Sequence, residues 1–331
     1  RPRFRPATGG PPPAHPRQRR YNLGSPDDFE KNSANQAALS PLSFIKRTAL
    51  MFPDRDAVIY GSRKYSWSQL YKRSIQLASA LSKKGVGKGD TVAILAANTP
   101  EMIEAHFGIP MSGAILNTIN TRLDADTISY ILGHGEAKVF IVDGELAPQA
   151  AEAIKGRDIL VVDIADLQDN LNPNRIDTID YTDFIKLGEE SADWEMPTDE
   201  WDAIALNYTS GSTGRPKGVV YHHRGAYLMS MGVIADWGLP RHPKYLYTVP
   251  LFHCNGWCHG WAMAALAGTI VCTRAITPSV IYNAISEHGI THFGGAPIVL
   301  GMILNANDND RKNFDYTVNV MTAGAPPPAA V

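Results

Sequence analysis

Three cysteines in 331 residues are too few for a disulfide framework, and no uninterrupted apolar run approaches the ~20 residues of a membrane span. The formal net charge is only −2, which removes any general electrostatic case for nucleic acid or an anionic membrane surface. No internal repeat is visible. What is left is an ordinary soluble composition, 44% hydrophobic and 19% charged, long enough for two or more cooperating subdomains around a real core. The partners are expected to be small molecules, and the sparse cysteine suits a reducing compartment.

The two ends differ from this body. Arg1 stands where a Met would, and "TAGAPPPAAV" closes the chain as a glycine- and proline-rich loop after a strand-like run, so the chain is expected to be a fragment. The first 26 residues hold six arginines and no acid, as a transit segment would, yet six prolines within the first 16 oppose an amphipathic helix. Residues 1–38 are therefore expected to be a disordered or targeting tail. The compartment stays open between the cytoplasm and an organelle matrix, mitochondrial or peroxisomal.

After the tail, helix-like and strand-like segments alternate. In "SWSQLYKRSIQLASALSKKGVGKGD", Leu70, Ile75, Leu77, Ala78 and Leu81 recur at helical spacing, and "TVAILAAN" (91–98) follows as a buried strand. "PEMIEAHFGIPMSGAIL" and "DTISYILGHGEAKVFIVD" repeat the order of helix and strand. Thr277 as N-cap, Pro278 at the first helical position and Gly289 past the end bracket "PSVIYNAISEH", before the short strand "ITHFGG". This alternation predicts an α/β fold of layers with mainly parallel sheets, whose ligands gather at the carboxyl ends of strands. The acidic stretch 163–201 lacks sustained periodicity and reads as a polar surface excursion.

The chemistry follows that stretch. "AIALNY" reads as a strand, "TSGSTGRPKG" as a loop of glycines, hydroxyls and one lysine, and the apolar run from Val219 as the start of another element. Glycines let backbone N–H groups approach an anion, hydroxyls add donors, and Lys217 adds a point charge, which together suit phosphate. The spacing is not that of a Walker A loop, because Lys217 lies between Pro216 and Gly218 rather than between Gly and Ser or Thr.

"YTSGSTGRPKGV" (208–219) resembles the signature phosphate loop of the adenylate-forming superfamily, which includes acyl-CoA synthetases, peptide-synthetase adenylation domains and luciferases. Three further stretches fall in the family's order: "VPLFHCNGW" (249–257) resembles its PxFH motif, "THFGGAP" (291–297) the strand and turn lining its acyl pocket, and "TAGAPPP" (322–328) the start of its adenine-binding segment. The chain from Leu39 onward, including "LNTINTRL" (116–123), is similar to the same family. The form "FHCNGW" with "GGAP" after it looks most like the branch that activates short, medium or aromatic carboxylates, including benzoate- and cinnamate-CoA ligase-like enzymes.

The resemblance implies an ATP-dependent acyl-CoA ligase, with ATP, Mg2+ and coenzyme A taking part and a carboxylic acid as substrate. Residues 39–331 would be an incomplete AMP-binding N-terminal domain, the family's small C-terminal domain being absent. By motif match, Thr209, Ser210, Gly211, Ser212, Thr213, Gly214 and Lys217 would hold the β- and γ-phosphates, and Gly324, Ala325 and Pro326 would lie along the adenine. His253 would close the carboxylate site, with Lys217 the second catalytic group, while Trp257, Gly295 and Ala296 would shape the acyl pocket. The family's Mg2+-binding glutamate and C-terminal catalytic lysine would fall past Val331, so this piece alone is expected to be inactive. A nucleotide-binding pseudoenzyme, or an enzyme passing the acyl group to a carrier protein, stands as the alternative.

"FHCNGWCHGW" (252–261) also invites a metal, haem or disulfide reading. It has one residue too many for C-x-x-C-H and for a C-x-x-C redox pair, and Cys272 supplies no second pair of zinc ligands. In "HHR" (222–224), a histidine stands where many family members have threonine. Adjacent side chains on helix or strand point apart, so the pair is expected to be structural and no metal ligand is assigned.

Overall fold

Ser66 starts the helix that the apolar spacing predicts. The Gln69 N–H donates to its hydroxyl at 3.3 Å and the Ser66 N–H donates to the Gln69 side chain at 2.8 Å, a capping box that launches helix Trp67–Lys83. Leu70, Ile75, Leu77, Ala78 and Leu81 form its buried face. The structure, a computed structural model, describes residues 31–32, 34–165, 174–176, 179–209 and 214–325. From Ala38 onward the chain forms one compact unit. In the unit before it, the Ala34 N–H donates to the Asn32 side chain in a short turn.

Twelve strands among the described residues make two six-stranded sheets. In one, β1 (Asp56–Tyr60), β2 (Arg63–Ser66), β9 (Lys244–Leu246), β10 (Thr269–Val271), β11 (His292–Gly295) and β12 (Asn319–Thr322) lie in the order β12-β11-β9-β10-β1-β2. The other holds β3 (Thr91–Leu95), β4 (Ile115–Thr118), β5 (Ala137–Asp143), β6 (Leu160–Ile164), β7 (Ala203–Thr209) and β8 (Lys217–His222) in the order β6-β5-β3-β4-β7-β8. Neighbours are parallel except in the pairs β1–β2 and β7–β8. The α/β class with mainly parallel sheets is thus as the alternation of segments predicts.

Helix Pro100–Met111 touches strands of both sheets and is buried along its whole length. A helix buried all round should be apolar, yet this one carries Glu104, fully buried. Glu104 is answered by Arg73, whose Nη2 lies 3.2 Å away, and by Tyr181, whose hydroxyl donates at 2.9 Å. Tyr181 comes from the acidic stretch read as a surface excursion. That stretch is anchored after all: Tyr181, Phe184 and Ile185 of helix Tyr181–Lys186 are buried, and the Trp194 indole donates to the Tyr71 hydroxyl at 2.9 Å. Its few apolar residues are too widely spaced to give a periodic signal, but they are the ones that sink into the core.

Thr277 caps helix Pro278–His288 through the Val280 N–H, and Gly289 ends it with φ +65°. The carboxyl ends of the parallel neighbours β9, β11 and β12 open on one edge of their sheet. They lead into "VPLFHCNGW", "GGAP" and "TAGA", three of the four stretches that carry the resemblance. This is where open α/β sheets bind ligands.

Candidate active site

Strands β7 and β8 form an antiparallel hairpin in which Thr209 pairs with Lys217 and Tyr208 with Gly218. Ser210, Gly211, Ser212 and Thr213 of the connecting loop lie outside the described residues. Gly214 has φ +95°, a conformation that favours glycine, and Lys217 is exposed at the start of β8. The element after the loop is therefore a strand that begins two residues before Val219. Among the described residues the loop is flanked by strands on both sides rather than by a helix N-terminus, so an anion held there would rely on backbone N–H groups, hydroxyls and Lys217. Beside it, the Arg215 guanidinium lies 5.4 Å from the Tyr130 ring centroid. Burial pushes the Tyr208 phenol up to about 12, which keeps it a neutral partner for His134 Nδ1 at 2.8 Å.

The stretch containing His253 is neither a strand nor an ordinary turn. Strand β9 ends at Leu246, and residues 254–258 then make one left-handed turn, with φ of 46° at Cys254, 41° at Asn255, 56° at Gly256, 57° at Trp257 and 61° at Cys258. Each non-glycine residue there costs about 1–2 kcal/mol, so the surroundings must enforce the turn. Tyr247 does part of this, since its hydroxyl donates to the Gly256 carbonyl at 2.9 Å and accepts from the Gly260 N–H at 3.1 Å. Asn207 donates to the Asn255 side chain, and Thr118 Oγ1 lies 3.0 Å from Asn207 Oδ1 and 3.3 Å from the Phe252 carbonyl. Asn98 fixes the approach, donating to the Tyr247 and Val249 carbonyls at 2.9 Å and accepting from the Leu251 N–H at 2.8 Å. These bonds tie the turn to the base of the hairpin. His253 stands exposed directly before it, its carbonyl accepting from the Gly256 N–H at 2.8 Å.

A cavity of about 530 Å3 lies between β8, helix His223–Trp237, the left-handed turn and the end of β12, and its wall includes Tyr221, Met229, Val233, Trp257, His259 and Met321. Trp257 packs against Gly294, where a Cβ would come within 3.2 Å of the indole. Gly295 pairs with Thr322 across β11 and β12, two residues before Gly324 and three before Ala325 in the chain; Pro326 lies outside the described residues. Of these, neither Gly295 nor Ala296 lines the cavity: Gly295 faces Val299, and Ala296 leads into helix Pro297–Leu304. The glycine that makes room for the pocket wall is Gly294.

Burial pushes the Cys258 thiol up to about 12 and the His259 imidazole down to about 4. At neutral pH these are a thiol and a neutral ring, the reverse of the thiolate that a metal or redox site needs. His222 accepts from the Gly225 N–H at 2.7 Å while His223 meets the Ser40 hydroxyl at 2.9 Å, so the adjacent histidines serve different partners. Among the described residues no group of three His, Cys, Asp or Glu could hold a metal ion.

The family model described as "AMP-binding enzyme" matches residues 45–331. The chain belongs to the AMP-binding enzyme family. An acetate–CoA ligase of Humulus lupulus is 45% identical over 321 residues, covering 92% of this chain and 56% of the relative. A peroxisomal acetate/butyrate–CoA ligase of Arabidopsis thaliana is 45% identical over 319 residues, with the same two coverages of 92% and 56%. The crystal structure of the anthranilate–CoA ligase AuaEII in complex with anthranoyl-AMP superposes with a TM-score of 0.74 at 24% identity, covering 84% of this chain and 54% of that one. The chain thus spans little more than half the length of the curated relatives it matches. As a member of the AMP-binding family it carries the α/β layers of the N-terminal domain of adenylate-forming enzymes.

Sequence reasoning missed Asn98, Asn207, Asn255 and Gly294, and much of the cavity wall. A signal for the asparagines was present: an amide inside an apolar run, as in "AIALNY", has to find buried partners.

Proposed function

We infer that the full-length protein is an ATP-dependent acyl-CoA ligase, AMP-forming, acting on a short- or medium-chain or aromatic carboxylic acid. The observation that carries this reading is the convergence of three parts: a glycine- and hydroxyl-rich hairpin with Lys217, the left-handed turn that presents His253, and the apolar cavity walled by Trp257. An anion-binding loop beside an apolar pocket suits a substrate with a carboxylate head and a hydrophobic tail. A pocket of about 530 Å3 is of ordinary small-molecule size.

In the first step a carboxylate oxygen attacks the α-phosphorus of ATP in line, the bond to the β-phosphate oxygen breaks, and pyrophosphate leaves. Both reactants are anions, so the protein's contribution is to neutralise and position them. Thr209, Ser210, Gly211, Ser212, Thr213 and Gly214 would donate to the β- and γ-phosphates, with Lys217 countering the charge that builds on the leaving group. Gly324, Ala325 and Pro326 would flank the adenine. His253 would close over the carboxylate as it reacts, and Trp257, packed against Gly294, would hold the tail. In the second step the thiol of coenzyme A gives up its proton, its sulfur attacks the acyl carbon, and AMP leaves with the bonding pair. Magnesium, which the family resemblance implies, finds no group of three His, Cys, Asp or Glu to hold it among the described residues.

The chemistry needs small anionic partners only, and no helix of the described residues is long and apolar enough to cross a membrane. A soluble protein of the cytoplasm or of an organelle matrix fits both points. The test is pyrophosphate release by the full-length protein over a panel of acids from acetate to cinnamate, with and without Lys217→Ala. Release should require an acid and fall at least about tenfold in the variant; release without acid, or undiminished in the variant, would refute the assignment.

A further inference from the structure

His253 is exposed, and among the described residues its ring has one hydrogen-bond partner, the thiol of its neighbour: Cys254 Sγ lies 4.0 Å from Nε2. Cys254 is exposed as well and opens the left-handed turn, with φ 46°. A second group holds the sulfur. The Tyr221 phenol hydrogen-bonds it, and both Tyr221 and Cys254 line the apolar cavity. Tyr221 stands on β8 four residues after Lys217, and the alternation of a strand puts Lys217, Val219 and Tyr221 on one face. The strand that carries Lys217 at the phosphate loop thus also holds the cysteine beside His253.

Tyr221 decides the direction of these bonds. Burial pushes its phenol up, so it keeps its proton at neutral pH, and Cys254 Sγ is the one acceptor for that proton among the described residues. A thiol is a weak donor and a weak acceptor at once. The phenol therefore donates to the sulfur, the thiol donates to His253 Nε2, and the ring hydrogen sits on Nδ1. In the reverse order Nε2–H would donate to the sulfur and the thiol to the phenol oxygen, leaving the phenol proton without a partner. The ring nitrogen left for a substrate is then Nδ1, and it offers an anionic oxygen an N–H donor rather than a lone pair.

We propose that Cys254 is a positioning residue for the activation of the carboxylate: held by Tyr221, its thiol fixes the ring of His253 so that Nδ1–H is presented to the reacting oxygen. The proposal rests on the reading of His253 as the group that closes over the carboxylate. It gives Cys254 no contact with substrate and no covalent or redox step. Cys254 and Tyr221 thereby have a use in "FHCNGW" and on β8 beyond filling the cavity wall.

Acid-dependent exchange of pyrophosphate into ATP by the full-length protein reads the positioning. Cys254→Ala should lower kcat about three- to tenfold with the KM for ATP within about twofold of wild type, and Cys254→Ser, which keeps a donor, should recover most of the loss. In a His253→Ala background, adding Cys254→Ala should change kcat by less than about twofold, because a residue that acts through His253 has nothing left to orient. Equal losses in the two backgrounds, or no loss in the single variant, would overturn the proposal. The contact itself is read without turnover, as the rate at which iodoacetamide alkylates Cys254 in the absence of ATP and acid, followed by the mass of its peptide. His253→Phe, which keeps a ring without its nitrogens, should slow that rate at least about threefold, and Tyr221→Phe should slow it too. A rate that His253→Phe leaves unchanged would overturn the proposal whether or not any acid is activated. A His253-dependent rate in a protein that exchanges no pyrophosphate with any acid would contradict the ligase reading and leave the pairing of Cys254 with His253 standing.

Discussion

Asn98 bears more of the site than its place in "AANTP" suggests. Its side chain satisfies two carbonyls and one N–H of the segment that leads to His253, and all three belong to buried backbone that cannot turn to water. Asn98→Ala should cost about 2–4 kcal/mol, since several buried groups lose their partner together. The check is a lower urea midpoint at unchanged m-value. Thr209 and Lys217, proposed for the phosphates, were conspicuous in the sequence because their chemistry shows in their neighbours, a run of glycines and hydroxyls. Asn98, Asn207 and Asn255 were not, because their meaning lies in partners 149, 48 and 48 residues away in the chain. Gly294 escaped for the same reason: its role is to leave room for the Trp257 ring.

Among the elements, the helices were the clearest to read. Thr277, Pro278 and Gly289 mark the ends of Pro278–His288 to the residue, because capping is local chemistry. The left-handed turn after His253 was illegible, since nothing local favours five successive residues with positive φ and tertiary bonds impose them. Gly256→Ala tests that imposition. A Cβ there would lie 2.3 Å from the Tyr247 hydroxyl oxygen in a backbone with φ +56°, so the substitution should cost more than about 2 kcal/mol and weaken turnover with it. Gly232 offers the opposite case, exposed in helix His223–Trp237 with nothing within 4 Å of where a Cβ would stand. Gly232→Ala should stabilise by about 0.5–1 kcal/mol, seen as a raised melting temperature. If both substitutions behaved alike, the distinction between imposed and incidental glycines would fail.

The molecule as a whole should weaken in mild acid. Burial pushes His106, His223 and His259 down to about 4 from 6.5, and His288 and His292 are lowered in the same sense. Unfolded, these rings take up protons near pH 6.5; folded, His106, His223 and His259 refuse them until about pH 4. The unfolded state binds more protons in that window, so stability is full above about pH 6.5 and is lost as the pH falls toward 4. Melting temperatures between pH 7 and 5 should fall with a slope of roughly three protons taken up on unfolding near pH 5, and a flat profile would contradict the buried, neutral histidines. The layered architecture that buries them was legible from the alternation of segments, whereas the anchoring of Tyr181 on Glu104 was not, because an isolated buried pair leaves no period in the sequence. In the proposed reaction the hairpin, the left-handed turn and the cavity together activate a carboxylate on ATP. Its most direct test is the exchange of labelled pyrophosphate into ATP by the full-length protein without coenzyme A. Exchange should appear only when a carboxylic acid is present and should drop at least about tenfold in Lys217→Ala; exchange that ignores the acid, or that the variant leaves intact, would refute carboxylate activation at this site.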